Sequence, residues 1–188
     1  MNISTATPTP SPRPQAITLG GGCFWCTEAV FVRVKGVLTV TSGYSNGHTV
    51  KPSYEQVCTG NTGHNEVVQI TYDVHQISLR ELLEIFFVIH DPTTLNRQGN
   101  DVGTQYRSGI YWSDEDDRAV AQQVLDDVNQ HLSGQVVTEL LPLNNFSAAE
   151  DYHQDYFANH PNQGYCAFVV APKVQKFLHT FADKVRDA

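Results

Sequence analysis

Residues 16–34 read AITLGGGCFWCTEAVFVRV, and this stretch predicts the central unit of the fold. Ala16–Leu19 has the residue types of a short strand, three glycines follow, and the remainder predicts a helix that runs to about Val34. A tight turn after a strand favours residues without a Cβ, which Gly20–Gly22 supply. The segment therefore predicts a strand, a sharp turn, and a helix whose first turn carries two cysteines.

Strands and helices continue to alternate beyond this unit. The strand candidates are Val37–Tyr44, Glu66–Tyr72, Tyr106–Trp112 and Val136–Leu140. Helices are predicted after the capping residues Ser78, Ser113 and Ser147, and over an amphipathic stretch from Val174 to Val185. Interspersed strands and helices of this kind indicate an α+β or α/β domain.

The chain has 188 residues, 40% of them hydrophobic, which is enough for one domain with a substantial core. Residues 1–15 contain four of the nine prolines and no aromatic residue, a composition typical of a disordered tail. We find no repeat or second linker after Ala16, so residues 16–188 are predicted to form a single domain.

Composition also excludes several classes of partner. The longest hydrophobic run, Tyr165–Ala171, has seven residues, whereas a bilayer span needs about 20. Twelve basic against twenty acidic residues give a formal charge of −8, with no basic cluster. Nucleic acid and membrane surfaces are therefore not expected as partners.

The four cysteines are too few and too unevenly spaced for a disulfide framework. The N-terminus lacks the basic start and apolar run of a secretory signal, so a cytoplasmic location is expected. Cys23 and Cys26 lack the second ligand pair of a structural zinc site, and no metal or cofactor is predicted. Cys58 is interpreted as structural.

Cys23 is the first candidate for chemistry, because a thiol at a helix N-terminus faces free N–H groups and the positive end of the helix dipole. The dipole supplies about 0.3–1 kcal/mol, which favours the thiolate without ionising it fully at pH 7. The alternative is that Cys23 is a small buried hydrophobe. Two thiols that flank adjacent aromatic residues favour the functional interpretation.

Glu66 is the second candidate. The period of two in a strand places it on the same face as Val68, Ile70 and Tyr72. If that face is buried, loss of water raises the pKa of the carboxyl and makes it a proton donor at neutral pH. The alternative is that Glu66 lies at the end of the strand and stays solvated; alternation alone leaves both open.

Three ordered blocks of the sequence resemble the A-type peptide methionine sulfoxide reductases, over about Thr18 to Lys176. The blocks are Gly22–Trp25, Tyr54–Glu66 and Gly99–Ser108. The resemblance implies an α+β two-layer sandwich with a ferredoxin-like core, its mixed sheet packed by helices. It also implies reduction of the S epimer of methionine sulfoxide, free or in proteins, as repair after oxidative stress.

The resemblance also assigns roles, position by position. Cys23 matches the nucleophile that attacks the sulfoxide sulfur, and Glu66 matches the acid that protonates its oxygen. Phe24 and Trp25 match the aromatic residues that hold the substrate methyl group. The residues that match those hydrogen-bonded around the sulfoxide oxygen are Tyr54, Asp101 and Tyr106. Methionine then leaves, Cys23 becomes a sulfenic acid, another thiol forms a disulfide with it, and thioredoxin reduces that disulfide.

The second thiol is either Cys26 or Cys166. Cys26 is close in sequence, but it would lie in the first helical turn and could be committed to packing. Cys166 follows a polar, glycine-bearing segment predicted to be a mobile loop, and the resemblance supports a Gly-Tyr-Cys resolving thiol. We favour Cys23–Cys166 as the main disulfide, with Cys26 as a first partner or a relay. The protein is expected to be a monomer.

Two positions depart from the resemblance. Cys26 stands where glycine is common, and Asn65, beside the predicted acid, stands where alanine is common. The second departure is expected to alter the hydrogen bonding around Glu66, while every predicted catalytic group is still present.

Two rival interpretations remain. A thiol–disulfide oxidoreductase that uses Cys23 and Cys26 would reduce insulin without consuming methionine sulfoxide. A non-enzymatic domain that binds oxidised methionine or zinc would show no turnover with dithiothreitol. Neither rival accounts for Glu66 together with the Asp101–Tyr106 block.

Overall fold

The computed structural model describes residues 10–187, in which a mixed six-stranded sheet carries most of the core. The strands are β1 (Pro14–Gly20), β2 (Val37–Ser45), β3 (Asn65–Asp73), β4 (Arg97–Gln98), β5 (Asp101–Val102), β6 (Gly109–Trp112), β7 (Glu139–Pro142) and β8 (Ser147–Ala148). The helices are α1 (Phe24–Phe31), α2 (Tyr54–Cys58), α3 (Leu79–Ile89), α4 (Glu115–His131), α5 (Tyr156–Asn159) and α6 (Ala171–Thr180). A π-helical turn, Cys166–Val170, leads directly into α6.

The order of strands in the sheet is β7-β6-β1-β3-β2-β8. Only the β6–β7 pair is parallel; the other four pairs are antiparallel. The central four strands, with α1 after β1 and α3 after β3, form a βαββαβ unit in spatial order 4-1-3-2, which is the ferredoxin-like arrangement. The α+β class with a mixed sheet packed by helices is therefore confirmed. Strands β4 and β5 form a separate hairpin.

The turn from β1 into α1 depends on Gly22, whose φ of +93° lies in the left-handed region that favours glycine. A Cβ at this position would also meet the side chain of Gln98 at 2.7 Å. Gln98 also holds the β4–β5 hairpin against Asp91. Its side-chain amide accepts a hydrogen bond from the Asp91 N–H and donates one to the Asp91 carbonyl, both at 2.9 Å. The start of α1 is thereby fixed against the β4–β5 hairpin.

Three predicted boundaries were wrong. Helix α1 ends at Phe31 and not near Val34, because Val34 leaves the helix to bridge to Val185. Tyr106 belongs to a 3₁₀ turn (Thr104–Tyr106), and the strand predicted there begins only at Gly109. Strand β1 begins at Pro14, inside the predicted tail, because pairing with β3 extends to Asp73. Residues 1–9 of that tail lie outside the described residues.

The capping box predicted at Ser147–Glu150 does not start a helix. Ser147 and Ala148 form strand β8, which extends the sheet beside β2. The carboxylate of Glu150 instead accepts a hydrogen bond from the Tyr44 hydroxyl at 2.9 Å and another from the Tyr54 N–H at 3.1 Å. Glu150 therefore binds residues that are distant in sequence and does not cap a helix of its own segment.

Smaller shifts affect two other predicted elements. Helix α4 is capped by Asp114, whose side chain accepts the N–H of Asp116, and not by Ser113. The strand predicted from Val136 begins at Glu139, because the Val137 N–H first donates a hydrogen bond to the carbonyl of Pro92.

Within residues 10–187, no helix has the length and apolar character that crossing a bilayer requires.

Helix α1 carries a buried carboxyl group, Glu28, which accepts the hydroxyl of Ser42 at 3.0 Å. Burial raises the pKa of Glu28 to about 7; the bond from Ser42 opposes this, and the nearby Asp155 adds to it. Because the pKa is higher in the folded state, the stability that Glu28 confers is present below about pH 4.5 and is lost as the pH rises through 7.

We expect Glu28→Gln to remove this dependence. The free energy of unfolding of the variant minus that of the parent should be about 3 kcal/mol more positive at pH 8 than at pH 4.5. Urea unfolding at the two pH values measures the difference, and Glu84→Gln, at an exposed position of α3, is the control. An equal pH dependence in Glu28→Gln and the parent would contradict the prediction.

Candidate active site

Cys23 lies at the N-cap position of α1, half-buried, where the Gly22 turn delivers the chain from the central strand β1. Its carbonyl accepts the N–H of Cys26 at 3.0 Å, which closes the first turn of the helix. The N-cap side chain makes no capping hydrogen bond. The thiol is therefore available at the point where the helix begins.

The carboxyl group of Glu66 lies at the same helix start. Its Oε1 accepts the N–H of Phe24 at 3.2 Å, so the residue after Cys23 binds the acid directly. Glu66 is 1% exposed, and Val68, Ile70 and Tyr72 on the same face of β3 are buried with it. The strand alternation thus placed Glu66 on the buried face, and the solvated alternative is wrong.

The electrostatics of Glu66 suit a proton donor. Burial raises its pKa to about 8; the Phe24 N–H opposes this shift and the charge of Asp101 adds to it. The carboxyl is therefore mostly protonated at pH 7. Its second oxygen, Oε2, is buried and has no hydrogen-bond partner among the described residues. A buried group with unused hydrogen-bonding capacity is poised to bind something that enters the site.

The Cys23 thiol differs from the sequence-based expectation. Burial, followed by the charges of Glu66 and Cys26, raises its pKa well above the usual range, although the Trp25 N–H acts in the opposite direction. The helix terminus is thus outweighed by loss of water, and the resting residue is a thiol. Because Glu66 is protonated at neutral pH, its contribution is small there, and burial is the dominant cause.

Tyr54, Asp101 and Tyr106 reach this region from three separate segments. Tyr54 begins α2, which has a capping box at Ser53; Asp101 begins the second strand of the hairpin; Tyr106 ends the 3₁₀ turn. Burial and the charge of Glu66 raise the pKa of both tyrosines, so their hydroxyls remain protonated donors. All three residues are half-buried, as groups that meet a ligand must be.

Phe24 and Trp25 occupy different environments. Phe24 is fully buried, whereas Trp25 is half-buried and is held from two sides by a segment that follows β8. The Trp25 indole donates from Nε1 to Nδ1 of His153 at 3.1 Å and stacks on Tyr156, with centroids 3.7 Å apart and planes 4° apart. The orientation of the indole is therefore fixed.

Sequence reasoning missed His153 and Tyr156. His153 is 1% exposed, and its ring also lies 5.1 Å from Phe24 and 4.5 Å from Tyr54 between ring centroids. Burial lowers the pKa of His153, which suits a neutral ring that accepts from Trp25. The density of aromatic and histidine residues from Tyr152 to Phe157 is the signal for them that the sequence offers.

Cys26 and Cys166 are the two thiols predicted to resolve the oxidised Cys23. Cys26 is 1% exposed and its Sγ lies 3.9 Å from the Tyr165 hydroxyl; burial raises its pKa, which the charge of Lys173 and the Tyr165 hydroxyl oppose. Cys166 is fully buried in the π-helical turn, so the prediction that it lies on a mobile loop was wrong. The residues just before it, 161–164, and the two just after it, Ala167 and Phe168, are exposed.

Tyr165 connects these thiols to the rest of the site. Its hydroxyl donates to Oδ2 of Asp101 at 2.5 Å, and its ring lies edge-on to Trp25 at a centroid distance of 5.8 Å. The segment that carries Cys166 is therefore anchored at Asp101. Cys58, by contrast, is exposed at the end of α2.

The hydrogen bonds of the Asn65 side chain are directed to Arg107 and Tyr111 and not to Glu66. The buried side-chain amide donates to the carbonyl of Arg107 at 3.0 Å and to the Tyr111 hydroxyl at 2.9 Å. Arg107 follows Tyr106, so Asn65 connects the strand that carries Glu66 to the turn that carries Tyr106.

Within the part of the chain that the structure describes, no group of three or more His, Cys, Asp or Glu is arranged to hold a metal ion.

A cysteine at a helix start beside a buried, protonated carboxyl is typical of thiol-dependent enzymes that pair a nucleophile with a proton donor. Comparison with known proteins gives the family. The family model described as peptide methionine sulfoxide reductase matches residues 15–185. Peptide methionine sulfoxide reductase MsrA of Saccharolobus solfataricus is 58% identical over 172 residues, which are 92% of this chain and 97% of that protein. The chain belongs to the peptide methionine sulfoxide reductase family.

Solved structures agree with this membership. Methionine sulfoxide reductase A of Corynebacterium diphtheriae superposes with a TM-score of 0.78 at 36% identity, over 81% of this chain and 78% of that chain. Mxr1 from Saccharomyces cerevisiae in complex with Trx2 superposes with a TM-score of 0.54 at 26% identity, over 81% of this chain and 91% of that chain.

Proposed function

We propose that this protein reduces the S epimer of methionine sulfoxide, free or in proteins, with Cys23 as nucleophile and Glu66 as acid. The observation that carries the proposal is the buried Glu66 carboxyl, with its pKa of about 8, bound to the helix that begins at Cys23. A sulfoxide oxygen is a poor leaving group unless it is protonated, so the reaction needs an acid beside the thiol.

The protonation states support a defined sequence of proton movements. Glu66 gives its proton to the sulfoxide oxygen as the Cys23 sulfur attacks the substrate sulfur. The attack forms a bond between the two sulfurs. The hydroxyl group is then transferred to the Cys23 sulfur as that S–S bond and the S–O bond of the substrate break, so methionine leaves and Cys23 becomes a sulfenic acid. The Cys23 thiol proton replaces the one that Glu66 has given up. Glu66 thus begins and ends the step protonated, as its raised pKa favours, and Cys23 begins the step as a thiol.

The surrounding side chains suit the substrate. The indole of Trp25, fixed by His153 and Tyr156, offers an apolar face for the methyl group. The hydroxyls of Tyr54 and Tyr106 are donors that can bind the sulfoxide oxygen beside Glu66. Asp101 supports this region through its bond with Tyr165.

We further propose that the sulfenic acid is resolved in two steps. Cys26 attacks Cys23 with release of water, and Cys166 then attacks Cys26, which frees the Cys23 thiol and leaves a Cys26–Cys166 disulfide in place of the Cys23–Cys166 disulfide favoured from the sequence. The geometry supports this order, since Cys26 lies one helical turn from Cys23 and its sulfur lies 3.9 Å from the hydroxyl of Tyr165, the residue before Cys166. The yeast relative bound to Trx2 supports thioredoxin as the final reductant.

Disulfide mapping after a single turnover tests both proposals. With methionine sulfoxide and no reductant, the parent protein should release methionine and accumulate a Cys26–Cys166 disulfide. Cys166→Ser should release methionine equally and stop at Cys23–Cys26, with thioredoxin-dependent turnover reduced at least tenfold. Mass spectrometry of peptides identifies each bridge. A direct Cys23–Cys166 bridge in Cys26→Ser, at the parent's rate, would overturn the relay; absence of methionine release would overturn the function.

A further inference from the structure

Phe168 is the most exposed large hydrophobic side chain among the described residues, with 83% of its surface in contact with water. It lies in the π-helical turn Cys166–Val170, two residues after a cysteine that is fully buried. A single exposed apolar side chain is ordinary on a protein surface. Phe168 is distinguished by its place beside a resolving cysteine, and aromatic residues are enriched in protein–protein interfaces. A π-helical turn is itself an uncommon feature that recurs at functional sites.

A cavity of about 300 Å³ lies against Phe168. Its walls are formed by Gly99, Asn100 and Asp101 of the hairpin and by Tyr165, Phe168 and Pro172 of the π-helical turn and α6. The hydrogen bond between Tyr165 and Asp101 joins the two walls. Tyr165 lies 3.9 Å from the Cys26 sulfur and directly precedes Cys166 in the chain, so this wall of the cavity adjoins both resolving cysteines.

The chemistry of reduction says what must bind here. A disulfide between Cys26 and Cys166 takes two electrons and two protons from a dithiol, whose thiolate must approach one sulfur in line with the S–S bond. Cys26 is 1% and Cys166 0% exposed in the reduced state. A protein reductant can reach that bond only by seating itself on the surface above it, whereas a small dithiol needs no such contact.

We propose that Phe168 and the adjoining cavity rim form the docking surface for thioredoxin. This inference rests on the proposed function, since it takes the Cys26–Cys166 disulfide as the bond that thioredoxin reduces. Phe168 supplies the buried apolar contact of the complex, and the hairpin residues Gly99 and Asn100 supply its polar rim. Thioredoxin is favoured over a substrate protein because Phe168 belongs to the turn of Cys166 and not to the segments that carry Glu66 and Tyr54.

The test is steady-state reduction of methionine sulfoxide by Phe168→Ser with two reductants. The KM for thioredoxin should rise about tenfold or more, as loss of a buried Phe contact predicts. Turnover with dithiothreitol and single-turnover methionine release should equal those of the parent. Phe168→Leu, which keeps an apolar side chain, should recover much of the thioredoxin KM.

Val50→Ser is the matched control, since Val50 is 76% exposed on the loop before α2 and should not affect thioredoxin. An unchanged KM for thioredoxin in Phe168→Ser, or an equal rise in Val50→Ser, would overturn the docking proposal. A loss of dithiothreitol-dependent turnover in Phe168→Ser would also overturn it, because Phe168 would then act on the chemistry. Failure of the parent protein to release methionine would instead remove the proposed function.

Discussion

Cys23→Ser is expected to abolish sulfoxide reduction while the fold remains intact. A hydroxyl is a far weaker nucleophile than a thiol that can lose its proton during the reaction, and it cannot form the sulfenic acid. The substitution changes one half-buried atom at the start of α1, so thermal unfolding should be nearly unchanged. Methionine release with dithiothreitol, measured by chromatography, gives the result.

Cys58→Ser is the control for the first prediction, because Cys58 is an exposed thiol at the end of α2. It should keep the activity of the parent with both dithiothreitol and thioredoxin. Turnover above background in Cys23→Ser would remove Cys23 from its role as nucleophile.

Glu66→Gln is expected to lower the rate by about 10²–10⁴, the usual contribution of general acid catalysis. The amide keeps the size of the side chain and can still accept the Phe24 N–H, but it has no proton of suitable acidity to transfer. Low pH should restore part of the rate, since solvent can then protonate the sulfoxide oxygen. Stopped-time assays between pH 5 and pH 9 measure both effects.

The pH profile separates the role of the acid from a structural role. Because the pKa of Glu66 is raised to about 8, the parent should lose rate as the pH rises through that value and the proton is lost. Glu66→Gln should lack this decline. An unchanged rate at pH 7, or the same decline near pH 8 in the variant, would show that Glu66 is not the acid.

The elements with a strong local pattern could be predicted from the sequence. The alternation of β3 placed Glu66 on one face with Val68, Ile70 and Tyr72, although it left the burial of Glu66 itself open, and the glycines before Cys23 predicted the turn into α1. In both cases the residues that determine the structure are neighbours in sequence. The ferredoxin-like order of strands came from the resemblance, since pairing between distant strands leaves little trace in a single sequence.

What could not be predicted depends on contacts between distant segments. Glu150 has the spacing of a capping residue, yet it binds Tyr44 and Tyr54, which lie about a hundred residues earlier. The raised pKa of Cys23 likewise comes from burial by the folded chain, which outweighs the helix terminus that the sequence reveals. The burial of Cys166 depends on its packing in the fold, and its polar neighbours suggested the opposite.

The most direct test of the account is the stereochemistry of the reaction. The purified protein is given the separate S and R epimers of a methionine sulfoxide peptide with dithiothreitol, and the methionine formed is measured by chromatography. We expect the S epimer to be consumed and the R epimer to remain, with no zinc or other cofactor added. Reduction of both epimers at equal rates, or of neither while insulin disulfides are reduced, would contradict it.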